Sequence, residues 1–94
     1  MSQKGSREIL LIGVEQIRAA RALLGWSQTQ LAERAGLSLP TVKRVEIESD
    51  TKVSDAARSA LRAALESGGV EFIDENGGGP GVRLRKRQRL KKPK

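Results

Sequence analysis

The chain has 94 residues, 37% of them hydrophobic and 2% aromatic, which predicts one small domain with an aliphatic core plus flanking segments. The absence of cysteine and histidine excludes disulfides, thiol nucleophiles, thiolate metal sites and imidazole bases. The net charge of +7 comes from residues 83–94, which hold 8 of the 18 basic residues and no acid, so the preceding residues carry 10 basic against 11 acidic side chains.

Residues 1–13 are predicted to flank the domain. Residues 9–14 are β-branched and leucine-rich, so they can form a short strand or an early turn of the next helix, although Gly13 favours a break. The apolar run over residues 9–12 is too short to span a membrane. It also lacks the pattern of a signal peptide, so we expect a cytoplasmic protein without membrane contact.

The first predicted helix covers about residues 15–24, where Ile17, Ala20 and Leu24 fall at helical spacing. Gly25 is a residue type that ends helices. Trp26 follows, and we interpret it as a core or helix-staple residue rather than a platform for stacking bases.

Two short helices joined by a glycine-containing turn are predicted next, over about residues 28–35 and 39–46. Ser27 stands three residues before Gln30, which is the spacing of a capping box at a helix start. Gly36 tolerates the left-handed backbone of a helix end. Ser38 can cap the second helix, with Pro40 in its first turn. This arrangement is a helix-turn-helix.

Ser54 is predicted to cap a further helix, which the pair Gly68 and Gly69 ends. Its apolar stripe consists of Ala57, Leu61, Ala64 and Leu65. Residues 70–74 and 82–85 then alternate like strands around a glycine-rich loop, which predicts a β-hairpin. A lone hairpin is marginal in water, so it needs a partner surface, either residues 9–12 as a third strand or a second protomer.

The expected fold is therefore mainly α, a small bundle of four or five helices containing the helix-turn-helix. Its predicted organisation is a flank over 1–13, the helix-turn-helix domain over 14–67, the β-hairpin over 68–85 and a disordered basic tail over 86–94.

This pattern resembles the lambda-repressor-like, Cro/Xre-type helix-turn-helix family over roughly residues 14–66. The run IRAARALLGWS leads into the motif, and the matching residues within it are Gln28, Leu31, Ala32, Gly36, Val42, Val45 and Glu46. The resemblance implies double-stranded DNA binding by a homodimer, with the second motif helix in the major groove. It also implies a structural ion pair between Arg21 and Glu46.

Val42 and Val45 lie three apart and are expected to point inward, so the opposite face of the second motif helix is free to meet DNA. The candidate contacts on that helix and its tip are Ser38, Leu39, Pro40, Thr41, Lys43 and Arg44. Arg44 can bond O6 and N7 of a guanine, whereas Leu39 can touch a thymine methyl. Ser38 and Thr41 can bond a base edge or a phosphate, and Lys43 is expected to meet phosphate.

The first motif helix offers a second contact. Ser27 and Gln28 stand at its start, where a side-chain amide and exposed N–H groups can hold a phosphate oxygen. The resemblance also implies that Gln28 can brace a base-reading side chain.

The basic tail is expected to contact phosphates without sequence preference, with an affinity that falls steeply with salt. The residues assigned to this role are Arg83, Arg85, Lys86, Arg87 and Arg89. A minor-groove arm, RNA binding, an acidic protein partner and a solubilising terminus remain alternatives.

The leading hypothesis is a small bacterial or phage-type transcriptional regulator, located on the bacterial nucleoid, whose dimer reads two half-sites about 34 Å apart. The alternative is a protein-interaction or bridging module, or an antitoxin-type partner, with mainly non-specific DNA binding and a protein partner. Catalysis is not expected, because no serine lies in a nucleophile motif and the glycine run over 77–79 leads to Pro80 instead of a helix. No metal or cofactor is predicted.

Overall fold

The computed structural model describes residues 12–47 and 54–86, and these form four helices followed by a β-hairpin. The elements are α1 (Val14–Leu24), α2 (Gln28–Ala35), α3 (Leu39–Ile47), α4 (Asp55–Ser67), β1 (Val70–Ile73) and β2 (Gly81–Leu84). The prediction of a mainly α fold with a helix-turn-helix and a C-terminal hairpin is confirmed. The predictions for residues 1–11, 48–53 and 87–94 concern segments outside the described residues.

Side-chain caps fix the starts of three helices. Ser27 Oγ accepts from the Gln30 N–H at 3.0 Å, and Gln30 Oε1 accepts from the Ser27 N–H at 2.8 Å, so the predicted capping box of α2 is confirmed. The Thr41 N–H donates to Ser38 Oγ at the start of α3 (3.2 Å). The Ala57 N–H donates to Ser54 Oγ at the start of α4 (3.1 Å). These caps satisfy N–H groups that a helix start leaves without partners.

Two glycines end α1 and α2 in the left-handed conformation, Gly25 with φ of 70° and Gly36 with φ of 72°. The Gly36 N–H donates to the Glu33 carbonyl, and the next N–H, that of Leu37, donates to the Ala32 carbonyl. These bonds satisfy the last carbonyls of α2 and turn the chain sharply toward α3. The glycine therefore determines the angle at which the two motif helices meet.

Gly36→Val is expected to destabilise the fold by about 1 kcal/mol or more, since a β-branched side chain is strained at positive φ. No atom lies within 4 Å of a Cβ added there, so the cost comes from the backbone and not from a clash. Gly36→Asn is the matched control, because asparagine tolerates this conformation better. Urea denaturation measures both changes, and equal midpoints for the wild type and the valine variant would contradict the assignment of the turn.

The core is aliphatic and draws on every element. The largest fully buried side chains are Ile17, Leu31, Val42, Val45, Leu61, Leu65 and Val70. Phe72 of β1 is 8% exposed and joins the same cluster. The predicted apolar stripe of α4 is confirmed, since all four of its members are buried. Trp26 is partly buried and packs against this core, with the Arg34 guanidinium 4.6 Å from its ring centroid.

The hairpin packs on helices of its own chain. β1 and β2 are antiparallel, with Val70 opposite Leu84 and Phe72 opposite Val82, and the pair lies against α1 and α4. Ile12, which was expected to belong to a third strand, lies outside any strand and is buried. Its carbonyl accepts a hydrogen bond from Arg58 Nη1 at 2.8 Å. The partner surface that the hairpin requires is therefore supplied within the domain.

Both ends of the hairpin are tied to helices by side chains. Gln16 Nε2 of α1 donates to the carbonyl of Gly81 (3.1 Å) and to that of Ile73 (3.4 Å), at the loop end of the ladder. At the other end, Arg85 Nη2 donates to the carbonyl of Glu66, near the end of α4 (3.1 Å). These contacts place the hairpin at a defined angle on the bundle.

Candidate nucleic-acid interface

The two sides of α3 differ sharply in exposure. Val42 and Val45 are fully buried, whereas Lys43 and Arg44 are exposed and Thr41 is partly exposed. The predicted inward and outward faces of this helix are thus present. Two residues at the N-terminal tip of α3 complete this outer surface. Leu39 is partly exposed and Pro40 is exposed.

Ser38 and Thr41 form a local hydroxyl pair at the tip of α3. Their oxygens lie 2.9 Å apart, and Ser38 Oγ also accepts from the Thr41 N–H. Part of the hydrogen-bonding capacity of Ser38 is therefore used in starting the helix, which makes this side chain a helix cap as well as a candidate contact.

A buried carboxylate joins the three helices of the site. Arg21 Nε and Nη2 of α1 donate to Glu46 Oε2 and Oε1 of α3, both at 2.9 Å, so the predicted ion pair is confirmed. Gln28 Nε2 of α2 donates to the same Glu46 Oε1 at 3.0 Å. Arg21 Nη1 reaches the Trp26 carbonyl as well (3.1 Å). The Glu46 side chain is 4% exposed, so its carboxylate is shielded from most water, and the hydrogen bonds that it accepts tie α3 to α1 and α2.

The position of Gln28 adds to what the sequence predicts. The sequence predicts that the Gln28 side chain contacts a phosphate oxygen. In the structure, Gln28 Nε2 donates to Glu46 Oε1. The side chain is partly exposed, and Gln28 stands at the first position of α2, where the helix presents its N-terminal N–H groups. Its phosphate contact stays a prediction.

An open cleft lies beside this network, between α1, the start of α2 and the end of α3. Its lining residues are Arg18, Arg21, Ser27, Gln28, Glu46 and Ile47. Arg18 is exposed and was not predicted as a site residue. Its spacing of three residues from Arg21 places it on a neighbouring part of the α1 surface, and that spacing is the signal that could have identified it.

Two of the basic residues predicted to contact phosphate, Arg83 and Arg85, lie in β2 and directly after it and bond to other groups of the domain. Arg83 Nε donates to Glu71 Oε1 across the two strands (3.0 Å), and Arg85 donates to the Glu66 and Val70 carbonyls. The Arg83 hydrogen bond, followed by its charge, lowers the pKa of Glu71 below the usual value. This pair contributes stability above the unfolded-state pKa and loses it as the pH falls through the folded-state pKa.

Lys86 is exposed at the edge of the described chain. Arg87 and Arg89 lie outside the described residues. The phosphate contacts predicted for Arg83 and Arg85 must therefore compete with contacts inside the domain.

Within residues 12–47 and 54–86, no three side chains of the types that ligate metals come together. None of the helices in these ranges has the length and apolar character that crossing a membrane requires.

A family model described as helix-turn-helix matches residues 17–56, a range that contains most of α1, the whole of α2 and α3, and the start of α4. No curated protein matches the chain.

Proposed function

We propose that the protein recognises particular double-stranded DNA sequences through α3, and the match of residues 17–56 to a helix-turn-helix family model supports this proposal. The observation that carries this proposal is the two-sided character of α3, which is anchored in the core on one side and exposes Thr41, Lys43 and Arg44 on the other. A short helix held this rigidly can enter a major groove without an ordering cost.

Arg44 is the proposed base-reading residue, because a guanidinium can donate to O6 and N7 of one guanine at once. Thr41 lies one turn earlier on the helix and can bond a base edge, while Leu39 at the tip offers an apolar contact to a thymine methyl. Lys43 and Pro40 complete the surface, with Lys43 toward phosphate. These roles follow from exposure and chemistry at each position.

The first turn of α2 is proposed to hold a phosphate oxygen. Ser27 and Gln28 border the cleft, and the N-terminal N–H groups of a helix favour an anion. Arg18 on the cleft rim adds a positive charge. Backbone contacts of this kind fix the register of α3 on the duplex without reading sequence.

A homodimer is proposed to bring two copies of α3 to successive major grooves, about 34 Å apart on one face of the duplex. α4 exposes small side chains at Ala56, Ser59, Ala63 and Ser67, and β2 exposes Leu84, which is 51% accessible. These are the two candidate dimer surfaces. In this role the protein is expected to lie in the cytoplasm, on the bacterial nucleoid.

Selection of bound sites from a pool of random duplexes tests the proposed function. The expected result is enrichment of a short palindrome whose half-sites are separated by about one helical turn. Enrichment of a single half-site would retain sequence reading and exclude the dimer. No enrichment, together with binding of all duplexes, would contradict the proposal and favour a bridging or antitoxin-type partner.

Removal of residues 87–94 is expected to weaken binding to all duplexes by a similar factor, because five basic residues are lost with the hairpin left intact. The slope of log affinity against log salt should become shallower by up to about 4.5, at about 0.9 for each phosphate contact. Fluorescence anisotropy at several salt concentrations measures the slope. A truncated chain with altered sequence preference and an unchanged slope would contradict this role for the tail.

A further inference from the structure

The outer edge of β2 is open along its backbone. The sheet contains only β1 and β2 among the described residues, so no third strand lies beside β2 there. The Arg85 N–H bonds the Gly69 carbonyl at 2.7 Å, and Val70 lies opposite Leu84. Because bonded and non-bonded pairs alternate along an antiparallel ladder, the N–H and carbonyl groups of Val82 and Leu84 point away from β1. These outward groups have no partner in the described part of the chain.

β2 runs alongside α1 from the start of the helix to its end. Gln16, in the first turn of α1, donates to the carbonyl of Gly81, the first residue of β2 (3.1 Å). At the other end, a Cβ added to Gly68 would lie 3.0 Å from Cδ1 of Leu24, the last residue of α1. The next carbonyl along the chain holds the N–H of Arg85, directly after β2. The strand and the helix are therefore roughly parallel.

Two exposed leucines flank the open edge of β2. Leu23 follows Gln16 by about two helical turns, so it lies on the same face of α1, about 10 Å further along. β2 rises by about the same distance between Gly81 and Leu84. Leu23 is 42% exposed and Leu84 is 51% exposed, so together they give the edge an apolar corner. We use the name β2 edge for Leu23, Val82, Arg83 and Leu84.

Positive charge lies on the opposite face of the strand. The Arg83 side chain is 64% exposed, and its Nε and Nη2 donate to the Glu71 carboxylate on the β1 side. Its Nη1 has no partner within the described residues, so it can donate to a second carboxylate. Arg85 and Lys86 are also exposed, and residues 81–86 contain no acid. An added strand would therefore meet cations on its outer face and apolar side chains on its inner face.

Two copies of β2 do not fit each other. Antiparallel pairing of β2 with itself would set its outward-pointing residues opposite one another. A pair centred on residue 83 brings the two copies of Arg83 together, and one centred on residue 84 sets Arg83 opposite Arg85, both of which like charge disfavours. A pair centred on residue 82 sets Pro80, which has no N–H, opposite Leu84. These side chains disfavour a second copy and favour an acidic partner, which leaves α4 for the proposed homodimer.

We propose that the β2 edge binds an extended acidic segment of another protein, which adds to the sheet as an antiparallel strand next to β2. The backbone of the segment bonds the outward groups of Val82 and Leu84. Its apolar side chains point inward onto Leu23 and Leu84, and its carboxylates lie outward beside Arg83. None of these residues belongs to α3 or to the cleft, so this inference goes beyond the proposed DNA binding and does not depend on it.

A seven-residue synthetic peptide of alternating glutamate and valine, blocked at both ends, is the probe. Titration into the isotope-labelled full chain, followed by nuclear magnetic resonance, is expected to give saturable shifts of the Leu23, Val82, Arg83 and Leu84 signals. A peptide with lysine in place of glutamate should bind roughly tenfold more weakly, because it brings like charge to Arg83.

Two methylated forms of the peptide test the strand pairing without any change to the protein. In antiparallel pairing, the valines of the peptide lie opposite Val82 and Leu84, so the valine N–H groups donate to β2 and the glutamate N–H groups point away. Methylation of the valine nitrogens is expected to abolish the shifts. Methylation of the glutamate nitrogens is the matched control and should leave them in place.

Arg83→Glu tests the charge of the β2 edge. The variant is expected to reverse the preference, so that the lysine peptide binds more tightly than the glutamate peptide. Arg34→Glu makes the same change of charge at an exposed position on α2 and is the matched control, whose preference should stay that of the wild type. Melting curves establish that both variants are folded.

Absence of saturable shifts at the β2 edge with the glutamate peptide would overturn the proposal, and so would equal effects of the two methylated peptides. Movement of the same signals on raising the protein concentration alone would assign the edge to a second copy. Movement with a DNA duplex but not with the peptide would assign it to nucleic acid. Both results contradict an acidic protein partner. Failure of the proposed DNA binding, in contrast, would leave the peptide measurements unchanged.

Discussion

Glu46→Gln is expected to destabilise the fold by about 2–3 kcal/mol. The substitution removes the negative charge of a carboxylate that accepts two hydrogen bonds from Arg21 and one from Gln28. The Glu46 side chain is 4% exposed and that of Arg21 is 24% exposed, so the guanidinium is left with an uncharged partner where little water can replace it. For a domain of this size, the loss corresponds to a drop in melting temperature of roughly 10–20 °C.

Glu71→Gln is the matched control for this change. The chemical substitution is the same, and Glu71 also pairs with an arginine, but its ion pair with Arg83 is exposed on both sides. Exposed pairs contribute little because water screens them, so the melting temperature of this variant should move by only a few degrees. Thermal unfolding followed by circular dichroism compares the two. Equal, small shifts would contradict the role of Glu46 as the link between α1, α2 and α3.

Arg44→Ala is expected to reduce binding to the selected duplex by about 1–3 kcal/mol and to relax the preference for guanine at a single position of each half-site. The substitution is on the exposed face of α3, so stability should change little. The loss of specificity follows because alanine offers no donors to O6 and N7.

Lys43→Ala separates base reading from charge. Lys43 is the neighbouring exposed cation, and its removal deletes the same charge from the same helix. If it meets phosphate, affinity falls similarly for all sequences and the salt slope decreases by about 1. Anisotropy titrations against a panel of single-base variants of the duplex measure both effects. An Arg44→Ala protein with unchanged base preference would contradict the assignment of Arg44 and favour a bridging module.

The local features of the fold could be predicted from sequence. The capping box at Ser27 and the left-handed glycine at Gly36 depend on residues within a few positions of each other, and so does the inward pair Val42 and Val45. Short-range chemistry of this kind is determined by the backbone geometry of a helix end or a helix face.

Contacts across the chain were harder to predict. Gln16 meets carbonyls 57 and 65 residues away, and Arg85 meets Glu66 only because the hairpin folds back on α4. No spacing rule connects these positions, so the sequence predicts a phosphate contact for Arg85 and leaves the partner surface of the hairpin open. The Arg21–Glu46 pair, 25 residues apart, was expected only through the family resemblance.

Methylation interference on the selected duplex tests whether the exposed face of α3 lies in the major groove. Dimethyl sulfate methylates guanine at N7 in the major groove and adenine at N3 in the minor groove, and only a group that a protein contacts closely will block binding when methylated. Interference is expected at guanine N7 within each half-site, and the strongest of these sites should be lost in Arg44→Ala. Interference confined to adenine N3, or its absence throughout the half-sites, would contradict this placement of α3.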